Sequence, residues 1–200
     1  LKRMTEVMAE VASPGRPPQL AVLSGPSFAR EVADRHPTAV VAASRSHEAA
    51  RRVQDLISDV NLRCYSSSDV PGVELAGATK NVIAIAAGIS DALKFGHNSR
   101  AALITRGLAE ITRLGLALGA RRETFFGLAG IGDLVLTCTA RMSRNYHVGF
   151  ELGKGRPLRQ ILEGRIARHG VRMPVKPEIY SPILRELEGL GIRFEEIRER

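Results

Sequence analysis

The 200-residue chain is basic, with a formal net charge of +8 and a pI near 10.2, and 44% of its residues are hydrophobic. This composition excludes a disordered chain, since it can bury one substantial core or two small ones. Lys80, Asp91 and Lys94 interrupt the long apolar stretches. No run therefore approaches the roughly 20 residues of a membrane helix, and we expect a soluble protein without membrane insertion.

The distribution of charged residues, cysteines and histidines argues against two further classes. Basic residues are spread along the chain and mixed with acidic ones, and only 4% of residues are aromatic, so we expect no nucleic-acid partner. An anionic small substrate explains the positive charge as well. Cys64 and Cys138 lie far apart, and the histidines lack metal-ligand spacing. We expect a cytoplasmic protein without a metal.

The first 70 residues are predicted to form an α/β layer. Residues 2–12 have the pattern of the end of an amphipathic helix, which indicates that the chain begins inside a domain. After a Pro-rich break, apolar runs bounded by turn residues alternate with polar helical segments. The predicted elements are strand 20–23, helix 27–35, strand 38–43, helix 48–58 and strand 62–66. This β-α-β-α-β order is typical of an α/β layer.

Beyond Pro71 the strand signals stop and helical spacing takes over, so we divide the chain into domains 1–70 and 71–200. Two long helices, 73–93 and 100–118, are followed by a helix pair within 121–153, and Gly119 suits the position after a helix end. The predicted buried stripes of the long helices are Val82, Ile85, Ala86, Ile89 and Leu93, and Leu103, Gly107, Ile111, Leu114 and Leu118.

Lys80 is the first candidate for chemistry. It lies inside an apolar helix, and its neighbours one turn away, Ala76, Gly77, Ala84 and Ala87, are all small. A lysine placed there is costly to bury unless it is paired, and a partly desolvated ammonium is suited to donate a proton. The alternative is a lysine whose stem packs while its charge reaches water.

Three further stretches carry polar groups at loop or helix ends. Asp133 follows two flexible glycines and opens an apolar helix, where it is either a helix cap or a carboxylate that faces a ligand. Ser143-Arg144-Asn145 precedes a helix and would bind phosphate, or Ser143 is an ordinary cap. The loop Ser24–Ala29 ends a strand, where open α/β sheets bind ligands, or Ser27 is a cap. Arg106 and Glu110 have the spacing of a structural ion pair.

Together these stretches resemble the bacterial type of NAD(P)-dependent glycerol-3-phosphate dehydrogenase. The match runs from about Leu20 to Gly155 in the family's order. The stretches are Ser24-Gly-Pro-Ser-Phe-Ala, Gly77-Ala-Thr-Lys-Asn-Val-Ile-Ala-Ile, Ala101-Ala-Leu-Ile-Thr-Arg-Gly-Leu-Ala-Glu, Gly127-Leu-Ala-Gly-Ile-Gly-Asp-Leu-Val-Leu-Thr-Cys-Thr and Ser143-Arg-Asn.

The resemblance implies a partial Rossmann-like layer followed by an all-helical substrate domain like that of 6-phosphogluconate dehydrogenase. It also implies interconversion of sn-glycerol 3-phosphate and dihydroxyacetone phosphate with NAD or NADP, which feeds glycerophospholipid synthesis. In that reaction Lys80 and Asp133 match the catalytic residues. A homodimer is left open. The substrate-binding positions that match are Gly25, Ser27, Lys80, Asn81, Asp133, Thr137, Ser143, Arg144 and Asn145, and the cofactor-binding ones are Ala29 and Arg144.

The chain departs from the family at two places. The Gly-rich first turn that seats the pyrophosphate is absent, so we expect this chain alone to bind NAD(P)H poorly, and its coenzyme preference is not fixed. The stretch 158–171 is also shorter than the corresponding stretch of the family, which contains a segment that contacts the cofactor. Glu163 fits either a cofactor-contacting Val-x-Glu-Gly-like motif or the end of the preceding helix, and it is not assigned. The alternatives are a related dehydrogenase of another hydroxy acid or sugar acid, and an inactive fragment.

Overall fold

The computed structural model describes residues 2–12 and 19–169, the last six as backbone only. The Pro-rich break and everything beyond His169 lie outside the described residues. The elements are α1 (Met4–Val11), β1 (Ala21–Ser24), α2 (Ala29–Ala33), β2 (Thr38–Ser44), α3 (His47–Ile57), β3 (Leu62–Ser67), α4 (Val70–Ala92), α5 (Gly96–Ala117), α6 (Arg122–Phe125), a π-helical turn (Leu128–Gly132), α7 (Asp133–Thr139), α8 (Arg144–Gly153) and α9 (Leu158–His169).

The three strands form one mixed sheet in the order β1-β2-β3. β2 and β3 are parallel, since the 11-residue helix α3 carries the chain back across the sheet. β1 and β2 are antiparallel, with the short helix α2 between them. Val40, Ala42 and Cys64 form the buried layer between the sheet and α3. The predicted strands and helices of this layer are therefore present, with one antiparallel edge.

α4 begins at Val70 and organises the helical part of the chain. The Asp69 carboxylate accepts a hydrogen bond from the Gly72 N–H at 3.1 Å and so caps the helix. The same carboxylate accepts from the Arg121 N–H at 2.9 Å and from the Thr124 hydroxyl at 2.5 Å. One buried side chain thus fixes the start of α4 against α6, which leads into the π-helical turn.

α8 lies along α4 in the same direction, and glycines bring the two backbones into direct contact. A Cβ at Gly149 would stand 2.7 Å from the carbonyl carbon of Ile85 and closer still to its oxygen. A Cβ at Gly88 would stand 2.7 Å from the backbone nitrogen of Phe150. Neither position leaves room for a methyl group, so the small residues set the spacing of this helix pair.

The predicted stripe of the first long helix is wrong at two positions. Val82 and Leu93 are exposed, whereas Ala84, Ala87 and Gly88 are fully covered. The reason is that the buried side of α4 faces the close backbone of α8, which admits only small residues. On α5, Gly107 and Ile111 are buried as predicted, but Leu114 and Leu118 are exposed. Gly119 has a φ of +84°, as expected for the position after a helix end.

α4 is also long and apolar enough, by length and composition, to cross a membrane. In the protein 39% of that apolar window is buried, and α5, α7 and α8 pack around the helix. The core helices of soluble proteins share this composition. The core that α4 shares with its neighbours includes Leu108, Phe125 and Leu134.

Candidate functional site

Lys80 and Asp133 form an ion pair between α4 and α7, 53 positions apart in sequence. The Lys80 side chain is 20% exposed and that of Asp133 is 5% exposed. The Thr137 hydroxyl donates to the backbone carbonyl of Asp133 at 2.6 Å and lies 3.4 Å from its second carboxylate oxygen. The Lys80 ammonium is therefore partly exposed and is bound by the buried Asp133 carboxylate.

Asp133 is not a helix cap, so that alternative is wrong. The π-helical turn runs directly into α7, Gly132 already has helical dihedral angles, and the start of α7 has no side-chain cap. Gly130 instead allows close packing, because a Cβ there would collide with the backbone of Phe125. The carboxylate is therefore available for Lys80. π-helical turns are rare and often occur at functional sites.

The loop after β1 lies beside the same region of α4. Gly25 is buried with a φ of +137°, and a Cβ there would stand 3.0 Å from the Val40 Cα. The Ser27 hydroxyl donates to the Gly25 carbonyl at 3.0 Å, so Ser27 supports the loop and does not cap α2. The Ser24 hydroxyl oxygen lies 3.3 Å from where a Gly77 Cβ would be, one turn before Lys80.

A pair of side-chain amides joins α4 to α8 next to Lys80. The Asn145 amide donates to the Asn81 side-chain oxygen at 2.7 Å, and the Asn81 amide donates to the Gly77 carbonyl at 3.4 Å. Both asparagines are half-buried. An ammonium group and side-chain amides, which can bind hydroxyl groups, are thus carried by neighbouring residues of α4.

The start of α8 lies next to Asn145 and carries Arg144. The Ser143 hydroxyl accepts the Tyr146 N–H at 3.2 Å, so the interpretation of Ser143 as a cap is confirmed. Arg144 is the first residue of the helix and is exposed, immediately before Asn145. A helix N-terminus next to an arginine favours an anion such as phosphate.

Other candidate residues lie apart from this cluster. Ala29 is exposed at the start of α2, and none of the contacts described for residues 2–12 and 19–163 joins it to Lys80. Glu163 is exposed on α9 and pairs with Arg159 at 2.9 Å. The Arg106–Glu110 ion pair is present at 3.4 Å, as predicted. Within the described part of the chain, no group of three His, Cys, Asp or Glu side chains could hold a metal.

The sequence did not predict a polar cluster of Asp91, Arg100 and Tyr146, which joins the first turn of α8 to the end of α4 and to α5. The Tyr146 hydroxyl donates to Asp91 at 2.6 Å, and Arg100 donates to the same carboxylate oxygen at 2.5 Å. Burial, together with the Asp91 carboxylate, raises the pKa of Tyr146. No local spacing links a residue of α8 with the end of α4, so this contact leaves no sequence signal.

Comparison with known proteins places this site in a family. The family model for the C-terminus of NAD-dependent glycerol-3-phosphate dehydrogenase matches residues 69–185, and that for its N-terminus matches residues 1–50. A glycerol-3-phosphate dehydrogenase (NAD(P)+) of Koribacter versatilis is 54% identical over 196 residues, which are 90% of this chain and 58% of the relative. The corresponding protein of Citrifermentans bemidjiense is 60% identical over 173 residues, 86% of this chain and 52% of the relative.

A solved structure has the same architecture. The crystal structure of glycerol-3-phosphate dehydrogenase from Coxiella burnetii aligns with a TM-score of 0.71 at 40% identity, over 90% of this chain and 60% of that one. The predicted order, a Rossmann-like layer followed by a helical domain, is confirmed. The chain spans between half and three-fifths of these relatives. Since the C-terminal family model alone matches more than half of it, the chain belongs to the NAD-dependent glycerol-3-phosphate dehydrogenase family.

Proposed function

We propose that this chain carries the substrate half of an active site that interconverts sn-glycerol 3-phosphate and dihydroxyacetone phosphate, in the cytoplasm, with NADH or NADPH. The observation that carries the proposal is the Lys80–Asp133 pair. Asn81, which binds the Asn145 amide, follows Lys80 directly on α4, and Gly77, one turn before Lys80, lies against Ser24 of the loop after β1. The names of the similar proteins supply the substrate.

Lys80 is the proposed proton donor. The Asp133 carboxylate accepts a hydrogen bond from the Lys80 Nζ and so fixes the position of the ammonium group. A nicotinamide held beside the substrate would supply the hydride for the central carbon of dihydroxyacetone phosphate, and the Lys80 ammonium would give one proton to the ketone oxygen. Carbon gains the hydride, oxygen gains the proton, and a neutral amine remains that regains a proton from water. In the reverse direction the amine accepts the hydroxyl proton.

The surrounding residues are proposed to bind the substrate. Arg144 and the first backbone N–H groups of α8 receive the phosphate, where the guanidinium and the helix N-terminus act together. Ser143 acts by capping that helix. Asn81 and Asn145 bind the substrate hydroxyls, while Thr137 fixes Asp133 from the side away from the ligand. Gly25 and Ser27 border the reacting carbon.

Only the reactive end of the dinucleotide fits residues of this chain. Residues 1–200 contain no G-x-G-x-x-G sequence, the motif that seats a pyrophosphate in dinucleotide-binding domains. Ala29 and Arg144 are the proposed contacts at the nicotinamide end. We further propose the division into 1–70 and 71–200, a homodimeric assembly, and a role in supplying glycerol phosphate for glycerophospholipids.

The test is oxidation of NADH and of NADPH in the presence of dihydroxyacetone phosphate. It is run on the 200-residue chain and on a chimera in which the part of the Koribacter versatilis relative that precedes the matched region is joined to Leu1. We expect turnover by the chimera and little by the chain alone. Turnover of a non-phosphorylated keto acid but not of dihydroxyacetone phosphate would contradict the proposed substrate.

Arg144→Ala tests the phosphate assignment. We expect the apparent affinity of the chimera for dihydroxyacetone phosphate to fall on the order of tenfold or more, the equivalent of a charge-assisted hydrogen bond. Arg159→Ala is the matched control, since Arg159 is an exposed arginine that pairs with Glu163 away from the site. If both variants kept the original KM, Arg144 would not bind the substrate.

A further inference from the structure

We propose that Tyr146 is a positioning residue that fixes Arg144 and Asn145 relative to α4. The inference deepens the proposed function and rests on it, because it concerns the groups proposed to bind the phosphorylated substrate. Tyr146 follows these two residues directly in the first turn of α8. It therefore moves with them as part of one rigid turn.

The hydroxyl of Tyr146 is bound to a charged pair that links two other helices. It donates to Asp91 at 2.6 Å, near the end of α4, and Arg100 of α5 donates to the same oxygen at 2.5 Å. The second Arg100 nitrogen lies 2.7 Å from Nδ1 of His97. Arg100 thus holds Asp91 in place, and Asp91 in turn holds Tyr146.

Two hydrogen bonds from adjacent residues then hold the turn from different sides. Successive residues of a helix point about 100° apart. Asn145 binds α4 at Asn81, and Tyr146 binds it ten positions further along, at Asp91. The backbone contacts at Gly88 and Gly149 hold α8 along α4, and the two bonds add restraints on the first turn of α8 at two separate positions of α4. They also fix the backbone position from which the Arg144 side chain starts, since it lies in the same turn.

The remaining contacts of Tyr146 would survive loss of its hydroxyl. The ring is buried and stacked on Phe150, with centroids 6.2 Å apart. Asp91 would keep its partner Arg100, so no charge is left unpaired. Tyr146→Phe therefore removes the proposed positioning bond without opening a cavity.

The first measurement is titration of the 200-residue chain with sn-glycerol 3-phosphate by calorimetry. We expect Tyr146→Phe to raise the Kd on the order of tenfold, the equivalent of one hydrogen bond to a charged group. Tyr65→Phe is the matched control, because Tyr65 lies half-exposed on β3, away from α8, and should bind as the wild type does. A folded Tyr146→Phe with unchanged Kd would overturn the proposal.

The second measurement needs no ligand. The side-chain amide protons of Asn145 are followed by NMR, and we expect their bond to Asn81 to give them a distinct shift and slow exchange. We expect Tyr146→Phe to move these signals towards free-amide values and speed their exchange, and Tyr65→Phe to leave them unchanged. If the wild type did not bind glycerol 3-phosphate, the proposed function would fail. In that case a change of the Asn145 amide signals in Tyr146→Phe would still support the positioning role of Tyr146, and unchanged signals would overturn it.

Discussion

Gly149→Ala is expected to separate α8 from α4 and to weaken the site without touching a residue proposed to bind substrate. The new methyl group would stand 2.7 Å from the Ile85 carbonyl carbon, where non-bonded carbons need about 3.5 Å. Because the obstacle is backbone and the Ile85 oxygen lies closer still, the helices must move apart by more than about 1 Å. Such a shift stretches the 2.7 Å Asn145–Asn81 bond beyond the roughly 3.2 Å limit of a good hydrogen bond.

Overpacking of this kind costs about 1–3 kcal/mol, and alanine returns about 1 kcal/mol of helix propensity, so we expect a net loss of up to about 2 kcal/mol. Urea unfolding measures the loss, and titration with sn-glycerol 3-phosphate measures the site. The control is Gly132→Ala, a helical position whose added Cβ meets nothing closer than 3.7 Å, which should be neutral or slightly stabilising. Wild-type stability and affinity in Gly149→Ala would refute the packing argument.

Three further predictions follow from the described contacts. Lys80→Ala in the chimera should lower turnover by at least about 100-fold and leave coenzyme affinity nearly unchanged, and steady-state kinetics with unaltered turnover would remove Lys80 from the mechanism. The Arg156 guanidinium lowers the pKa of Glu151, so this pair stabilises the fold above pH 4.5 and its contribution is lost as the pH falls through the lowered value. The free energies of unfolding of the wild type and of Glu151→Gln, measured between pH 3 and 7, should therefore become equal near pH 3. A difference in free energy that persists at pH 3 would contradict this. Burial raises the pKa of Cys138 to about 12, so a thiol reagent at pH 8 should label it only after unfolding, and rapid labelling of the native protein would refute its burial.

The α/β layer could be predicted because its signals are local. Each strand is a short apolar run closed by turn residues, and the spacing between runs leaves room for one helix. The antiparallel pairing of β1 and β2 was not predictable from the same pattern. It depends on the direction of the chain after the five-residue helix α2, which periodicity does not encode.

The buried face of α4 was assigned wrongly at Val82 and Leu93 for a physical reason. Periodicity analysis selects the largest apolar residues, on the assumption that the core is filled by side chains. Around Gly88 the neighbouring backbone fills that space, so alanine and glycine are buried and the larger residues remain outside. A helix rich in small residues therefore has a buried face that hydrophobicity alone does not identify.

The same small residues explain why the site could be inferred only from its motifs taken together. Taken alone, Lys80 has the pattern of a lysine whose charge reaches water, and Asp133 has that of a helix cap. The two residues are 53 positions apart, so no local pattern indicates their ion pair. The asparagines are brought together by the close approach of α4 and α8 at Gly88 and Gly149, and Gly130 lets the π-helical turn before Asp133 pack on the Phe125 backbone. At each of these glycines a larger side chain would collide with backbone. Since these glycines set the distances between the packed segments, the distance between the polar groups depends on residues that have no functional side chain. Substitutions at such glycines should therefore change ligand affinity as much as substitutions of the polar groups they bring together.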